Sequence, residues 1–153
     1  MNNNISFLIF LFFLIFNTAY AKQIKITSDK LEIMRINNIS IFSGNVYALE
    51  DNLEMWSEEL IITSSKDQKT IREITAQSNV KILREGLSIN GDEARYDPIN
   101  NELFVFGDVK VTQNKNIILC DEIIVDLENS SSIMKSESTK RVKASIFTKE
   151  YSK

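Results

Sequence analysis

The chain has 153 residues, a formal net charge of −3, a single cysteine and no histidine. The absence of histidine excludes Ser-His and Cys-His nucleophile pairs as well as histidine-ligated zinc sites. The lone Cys120 excludes an intramolecular disulfide and a thiolate zinc cluster, and we expect it to be buried and inert. We therefore predict that the protein is not an enzyme and has no cofactor or metal, and the slight acidity argues against a nucleic-acid partner.

The first feature along the chain is a short apolar leader. Residues 5–16 are apolar except for Ser6, and Ala19-Tyr20-Ala21 follows them. A dozen residues are fewer than the roughly 20 of a spanning helix, and alanines two positions apart are typical of a signal-peptidase site. We predict a cleavable secretory signal peptide over residues 1–21, cleaved after Ala21. The alternative is an uncleaved membrane anchor, since no Lys or Arg precedes the apolar run.

Short alternating segments separated by turn residues follow from residue 24 onward. Alternation of apolar and polar residues puts one face of a strand inward and predicts strands at 24–26, 31–33, 80–82, 87–89 and 109–111. Turn residues predict turns at 36–38, 50–52, 64–67, 90–92, 97–101 and 114–116. No segment has the apolar stripe of a capped helix, so we predict an all-β, antiparallel fold.

The sequence after the leader superposes on itself with a shift of 63 residues. Identities include Asp29 with Asp92 and Gly44 with Gly107. We therefore predict one domain over residues 22–153, made of two repeats at 28–90 and 91–153. A unit that cannot bury its own apolar face must stack on a neighbour, as in solenoid-like arrays.

The repeat also predicts which residues face inward. Leu103, Val105, Val109 and Val111 form one apolar set, and its repeat mates are Phe42, Val46 and Ala48. The opposite set holds the polar Glu102, Lys110 and Thr112, together with Phe104 and Phe106.

Acidic pairs recur at 58–59, 92–93 and 121–122, each directly after a small residue. Paired carboxylates could serve glycoside hydrolysis or bind calcium. Because the pairs recur at the same repeat position, we favour a structural role in turns or bulges. The last 19 residues carry six Lys or Arg against two Glu, which is typical of a solvated end strand and is also compatible with contact to phosphates or to an acidic partner.

Five segments resemble the OstA-like family of periplasmic lipopolysaccharide-transport proteins. They are IKITSD (24–29), IFSGNV (41–46), SEELII (57–62), GDEARY (91–96) and FVFGDV (104–109). Their order and spacing after a leader carry the resemblance, which extends from residue 22 to about residue 127. It implies a twisted antiparallel β-jelly roll that is open along one side and lies in the periplasm.

The resemblance also implies a function and partners. Such a protein is expected to convey lipopolysaccharide from the inner-membrane transporter complex to the outer-membrane assembly machinery, with the acyl chains of lipid A in an apolar groove. The implied partners are an inner-membrane OstA-like anchor subunit, an outer-membrane translocon barrel subunit and further copies of the chain joined head to tail. Two alternatives remain: a membrane-anchored OstA-like relative in the same pathway, and a structural β-repeat adaptor that carries no lipid.

Candidate groove residues come from the resemblance and from the inward-facing pattern. An acyl chain of about twelve carbons costs on the order of 10 kcal/mol to expose to water, and a lining of apolar side chains offsets that cost. The residues are Ile24, Ile26, Leu31, Ile33, Phe42, Val46, Ile82, Tyr96, Val105, Val109 and Val111. For each of them, ordinary core packing is the alternative.

Overall fold

The computed structural model describes residues 23–148, which form ten β-strands and no helix within that range. The strands are β1 (Ile24–Thr27), β2 (Lys30–Met34), β3 (Ile39–Glu50), β4 (Leu53–Ser64), β5 (Ile71–Arg84), β6 (Leu87–Asp97), β7 (Glu102–Gln113), β8 (Asn116–Asp126), β9 (Ser131–Lys135) and β10 (Lys143–Ser145). Every strand pair is antiparallel, so the predicted fold class is confirmed. No helix between residues 23 and 148 is long and apolar enough to cross a membrane. The predicted leader lies outside the described residues.

The strands form one sheet in the order β1-β3-β4-β5-β6-β7-β8-β10, with β2 also on β3 and β9 also on β8. Each edge of the sheet therefore consists of two short strands in line. Eight strand positions at about 4.8 Å give a width of about 34 Å. No pairing joins the two edges among the described residues, so the roll stays open.

A line of β-bulges crosses the six long strands. The register shifts between Ser43 and Val46, and again at the corresponding point of each following strand pair. At Gly44-Asn45, Ser78-Asn79 and Gly107-Asp108, two consecutive residues have positive φ. Bulges bend strands, so this line divides the sheet into two halves that face each other.

The two halves are named here by their strand segments. Half A consists of β1, β10 and residues 46–50, 53–57, 80–84, 87–91, 109–113 and 116–120. Half B consists of β2, β9 and residues 39–43, 59–64, 71–77, 93–97, 102–106 and 122–126.

The core lies between the inward-facing rows of the two halves. Leu60, Ala76 and Val105 of half B are fully buried, and Ile82 and Ile89 of half A are nearly so. The inward set predicted from the repeat is confirmed, because Leu103, Val105, Val109 and Val111 are all buried, as are Val46 and Ala48.

The predicted turn at residues 90–92 is wrong, because β6 continues through it as a bulge. The turn before β6 lies at Glu85-Gly86, where both residues have positive φ. At Gly91 an added Cβ would lie 2.6 Å from Val105 Cγ1, so the neighbouring strand leaves no room for a side chain. Asn-Gly-Asp suits a tight turn as well as a bulge, and only the partner strands decide between them.

Acidic residues brace the bulges, as their recurrence predicted. The backbone N–H of Asp29 donates to the Gly44 carbonyl at 2.9 Å, and Asn45 Nδ2 donates to Asp29 Oδ2 at 2.7 Å. The repeat mate Asp92 lies over Gly107 as Asp29 lies over Gly44, since a Cβ on either glycine would collide with the carboxylate.

We predict that Gly107→Ala costs about 1–3 kcal/mol more free energy of unfolding than Gly86→Ala. Both glycines have a φ near +80°, so both variants carry backbone strain, but only at Gly107 does the new methyl collide with a neighbour, Asp92. Urea unfolding of the two variants measures the difference, and equal losses would contradict the proposed bracing.

Candidate functional site

The two halves of the sheet enclose an apolar space that opens on the side opposite the bulge line. Its deep part is a cavity of about 30 Å³ lined by Ile24, Ala48, Glu50, Leu53, Met55 and Ile82 of half A and its flanking turn and by Leu60, Ile74, Tyr96 and Leu103 of half B. Except for Glu50 and the Tyr96 hydroxyl, this lining is apolar.

The mouth of this space is polar. Two clefts of about 210 and 230 Å³ lie between the ends of the two halves. Arg84 borders both of them, together with Glu85, Asp126 and Glu128 from the turns. An apolar interior with a polar rim suits a molecule that has apolar chains and a polar head group.

The interior is closely packed in this structure. Small-molecule pockets usually have volumes of about 300–1,000 Å³, and the deep cavity has about a tenth of the lower value. Acyl chains could therefore enter only if the two halves moved apart and the chains replaced contacts between core side chains.

Tyr96 is the polar side chain that reaches farthest into the core. It is 5% exposed, and its hydroxyl donates a long hydrogen bond of 3.5 Å to Asn101 Oδ1. Burial raises the pKa of Tyr96 to about 12, with smaller contributions from the negative charges of Glu50 and Asp97. The phenol is therefore neutral at physiological pH.

All eleven predicted groove residues lie on inward-facing positions, but they differ in exposure. Val46, Ile82, Tyr96, Val105, Val109 and Val111 are buried, and Ile24, Ile26 and Phe42 are partly buried against the core. Leu31 and Ile33 are 48% and 63% exposed, because no strand lies beyond β2 at that edge. Their role in binding stays a prediction.

The structure brings only part of this set to the deep cavity. Ile24, Ile82 and Tyr96 line it directly. Sequence analysis missed Leu60, which belongs to the consecutive apolar run Leu60-Ile61-Ile62 and so gave no alternation to follow. The structure places Leu60 and Ile62 inward and Ile61 outward.

Cys120 lies at the bulge line of β8 and is buried, as predicted. Burial is the main cause that raises the pKa of its thiol, and the neighbouring carboxylates Asp121 and Glu122 add to it. The thiol is therefore protonated at neutral pH, which disfavours reaction with electrophiles.

An open antiparallel roll with a bulge-bent sheet and an apolar interior defines a jelly-roll protein without a closed barrel. The model of the family "LptA/(LptD N-terminal domain) LPS transport protein" matches residues 25–131. The chain belongs to this family, which confirms the OstA-like resemblance and assigns the protein a role in lipopolysaccharide transport.

Two similar proteins agree with this assignment. The chain is 29% identical over 131 residues to the uncharacterized protein RP507 of Rickettsia prowazekii (strain Madrid E), which covers 81% of this chain and 90% of the relative. Its fold is similar to the crystal structure of LptH from Pseudomonas aeruginosa, with a TM-score of 0.73 at 13% identity, over 83% of this chain and 96% of that one. LptH is described as the LptA-homologous periplasmic component of the lipopolysaccharide transport device.

The raised pKa of Tyr96 predicts a specific loss of stability in alkali. The neutral phenol is favoured in the folded state, so its contribution is complete below about pH 10 and is lost as the pH rises towards about 12. We expect the wild-type free energy of unfolding to fall by on the order of 2 kcal/mol more than that of Tyr96→Phe across this window. Denaturant unfolding at pH 9, 10, 11 and 12 tests this, and parallel curves would contradict it.

Proposed function

We propose that this protein is a periplasmic bridge that holds the acyl chains of lipopolysaccharide between halves A and B. In this proposal the signal peptide is cleaved after Ala21, and residues 22–153 act as one domain of two repeats, 28–90 and 91–153. The lipid would arrive from the inner-membrane OstA-like anchor subunit and leave to the outer-membrane translocon barrel subunit. No bond of the lipid would be broken.

One observation carries this proposal: the apolar interior crosses the whole sheet. Inward rows continue from β3 to β8 through Phe42, Leu60, Ala94, Val105 and Ile123 without a charged side chain. A continuous apolar path with one open side lets chains slide along it while the head group stays in water. The family's role in lipopolysaccharide transport supports the same occupant.

The small interior cavity favours a second candidate, an adaptor of the same fold that carries no lipid. A volume of about 30 Å³ is enough for one or two waters but not for an acyl chain. The two candidates differ in whether the halves separate to admit lipid.

We predict that photocrosslinkers at Ile26, Ile82 and Tyr96 capture lipopolysaccharide in cells. The matched control is Leu83, which follows Ile82 in β5 but faces outward. Immunoblots for lipopolysaccharide adducts should be positive at the inward positions and negative at Leu83. If none of the three inward positions captures lipid in a protein that supports growth, the adaptor replaces the bridge.

Strand directions support head-to-tail joining of copies. Strands β1 and β2 run from half A to half B, whereas β9 and β10 run from half B to half A. If a second copy places its β1 and β2 beside β9 and β10, the alternation of strand direction continues, with half A beside half A. Exposed sheet edges are suited to this kind of strand addition. We propose that this joint extends the apolar path beyond the 34 Å or so of one copy.

We predict that Leu31→Lys/Ile33→Lys blocks this joint and leaves the fold intact. Both side chains are exposed on the β2 edge, where lysine is tolerated in a free chain but would be buried without a partner in the joint. The matched control is Ile99→Lys, which changes a turn residue that is 70% exposed. Light scattering at raised protein concentration should show end-to-end assemblies for the wild type and the control only. Assemblies of equal size in all three proteins would contradict the joint.

A further inference from the structure

The outward surfaces of the two halves differ in charge. Face A is the set of outward, paired strand positions of half A, and face B is the corresponding set of half B. The charged members of face A are Lys25, Lys81, Lys110, Lys143 and Glu54. The charged members of face B are Glu32, Glu59, Glu73, Glu93, Asp97, Glu102, Glu122, Asp126, Lys30, Arg95 and Lys135.

Over these described positions, four lysines against one glutamate give face A a net charge of +3, and eight carboxylates against three basic groups give face B −5. All four lysines of face A are exposed. Glu54 of face A already accepts a hydrogen bond of 2.9 Å from the Tyr47 hydroxyl. The slight net charge of the whole chain therefore conceals two oppositely charged surfaces.

Both faces also carry apolar side chains between their charges. On face A, Tyr47 and Trp56 have ring centroids 5.3 Å apart, and Lys81 Nζ lies 5.2 Å from the Trp56 ring. On face B, Arg95 lies 4.6 Å from the Phe104 ring.

Face B presents the same apolar pair twice. The cross-strand pair Ile41–Ile61 recurs as Phe104–Ile124, exactly one 63-residue repeat further along the chain. Four strand spacings, about 19 Å, separate the two pairs. A sheet packed on this face would bury both pairs and pair its charges with the surrounding carboxylates.

We propose that face A of one copy packs on face B of a second copy, so that the rolls associate side by side. A contact between two like faces would bring charges of the same sign together, so the contact has to be heterologous. An anionic lipid surface would engage face A alone and leave the five excess negative charges of face B unmatched, whereas a second copy matches both. This contact involves sheet faces and is independent of the proposed end-to-end joint, which involves edges.

A charge swap tests the proposal in the Leu31→Lys/Ile33→Lys background, in which end-to-end association is blocked. The face A variant is Lys81→Glu/Lys110→Glu, and the face B variant is Glu93→Lys/Glu122→Lys. The matched control is Lys66→Glu/Lys115→Glu, which makes the same change in net charge in turns outside both faces. Sedimentation velocity measures association of each protein alone and of the two face variants mixed.

We expect the parent and the turn control to associate, each face variant alone to stay monomeric, and the mixture of face variants to associate again. Association of the parent should weaken about tenfold between roughly 0.01 M and 0.15 M salt, because the screening length falls from about 30 Å to about 8 Å. Failure of the mixture to associate, or association of both face variants alone, would overturn the proposal. Binding of the parent to anionic vesicles without self-association would assign face A to a lipid surface instead.

Discussion

The bulge line is the constraint on which the rest of the structure depends. An antiparallel sheet with one apolar face cannot bury that face in water unless something covers it. Here the sheet covers itself, because each long strand bends at the same point and half A comes to lie on half B. Gly44 and Gly107 make this possible: their left-handed backbone, with Asp29 and Asp92 lying over them, leaves no room for a side chain.

Folding a sheet onto itself leaves two features exposed that a closed barrel removes. The side opposite the bulges stays open, and this opening gives access to the apolar interior. The two edges also remain unpaired, each built from two short strands in line. In the proposed function the opening admits the acyl chains and the edges join successive copies, so both features follow from the same bend.

The outward faces show how a near-neutral composition can conceal a strong separation of charge. Adjacent residues of a strand point to opposite faces, so whole-chain counts average over surfaces that never meet the same partner. The lysines of face A and the carboxylates of face B lie on opposite sides of the bulge line. Side-by-side association would use this separation without disturbing the interior.

The sequence by itself determined the strands, the repeat and the inward set that includes Val105 and Val109, because alternation and a 63-residue period are local and additive signals. It also placed the acids beside the bulges through their recurrence. Only the tertiary structure decided that residues 90–92 form a bulge, that Leu60 and not Ile61 faces inward, and that the two outer faces carry opposite charge. Each of these depends on which strand lies alongside and in what register, and pairing between distant segments leaves no mark in the local pattern.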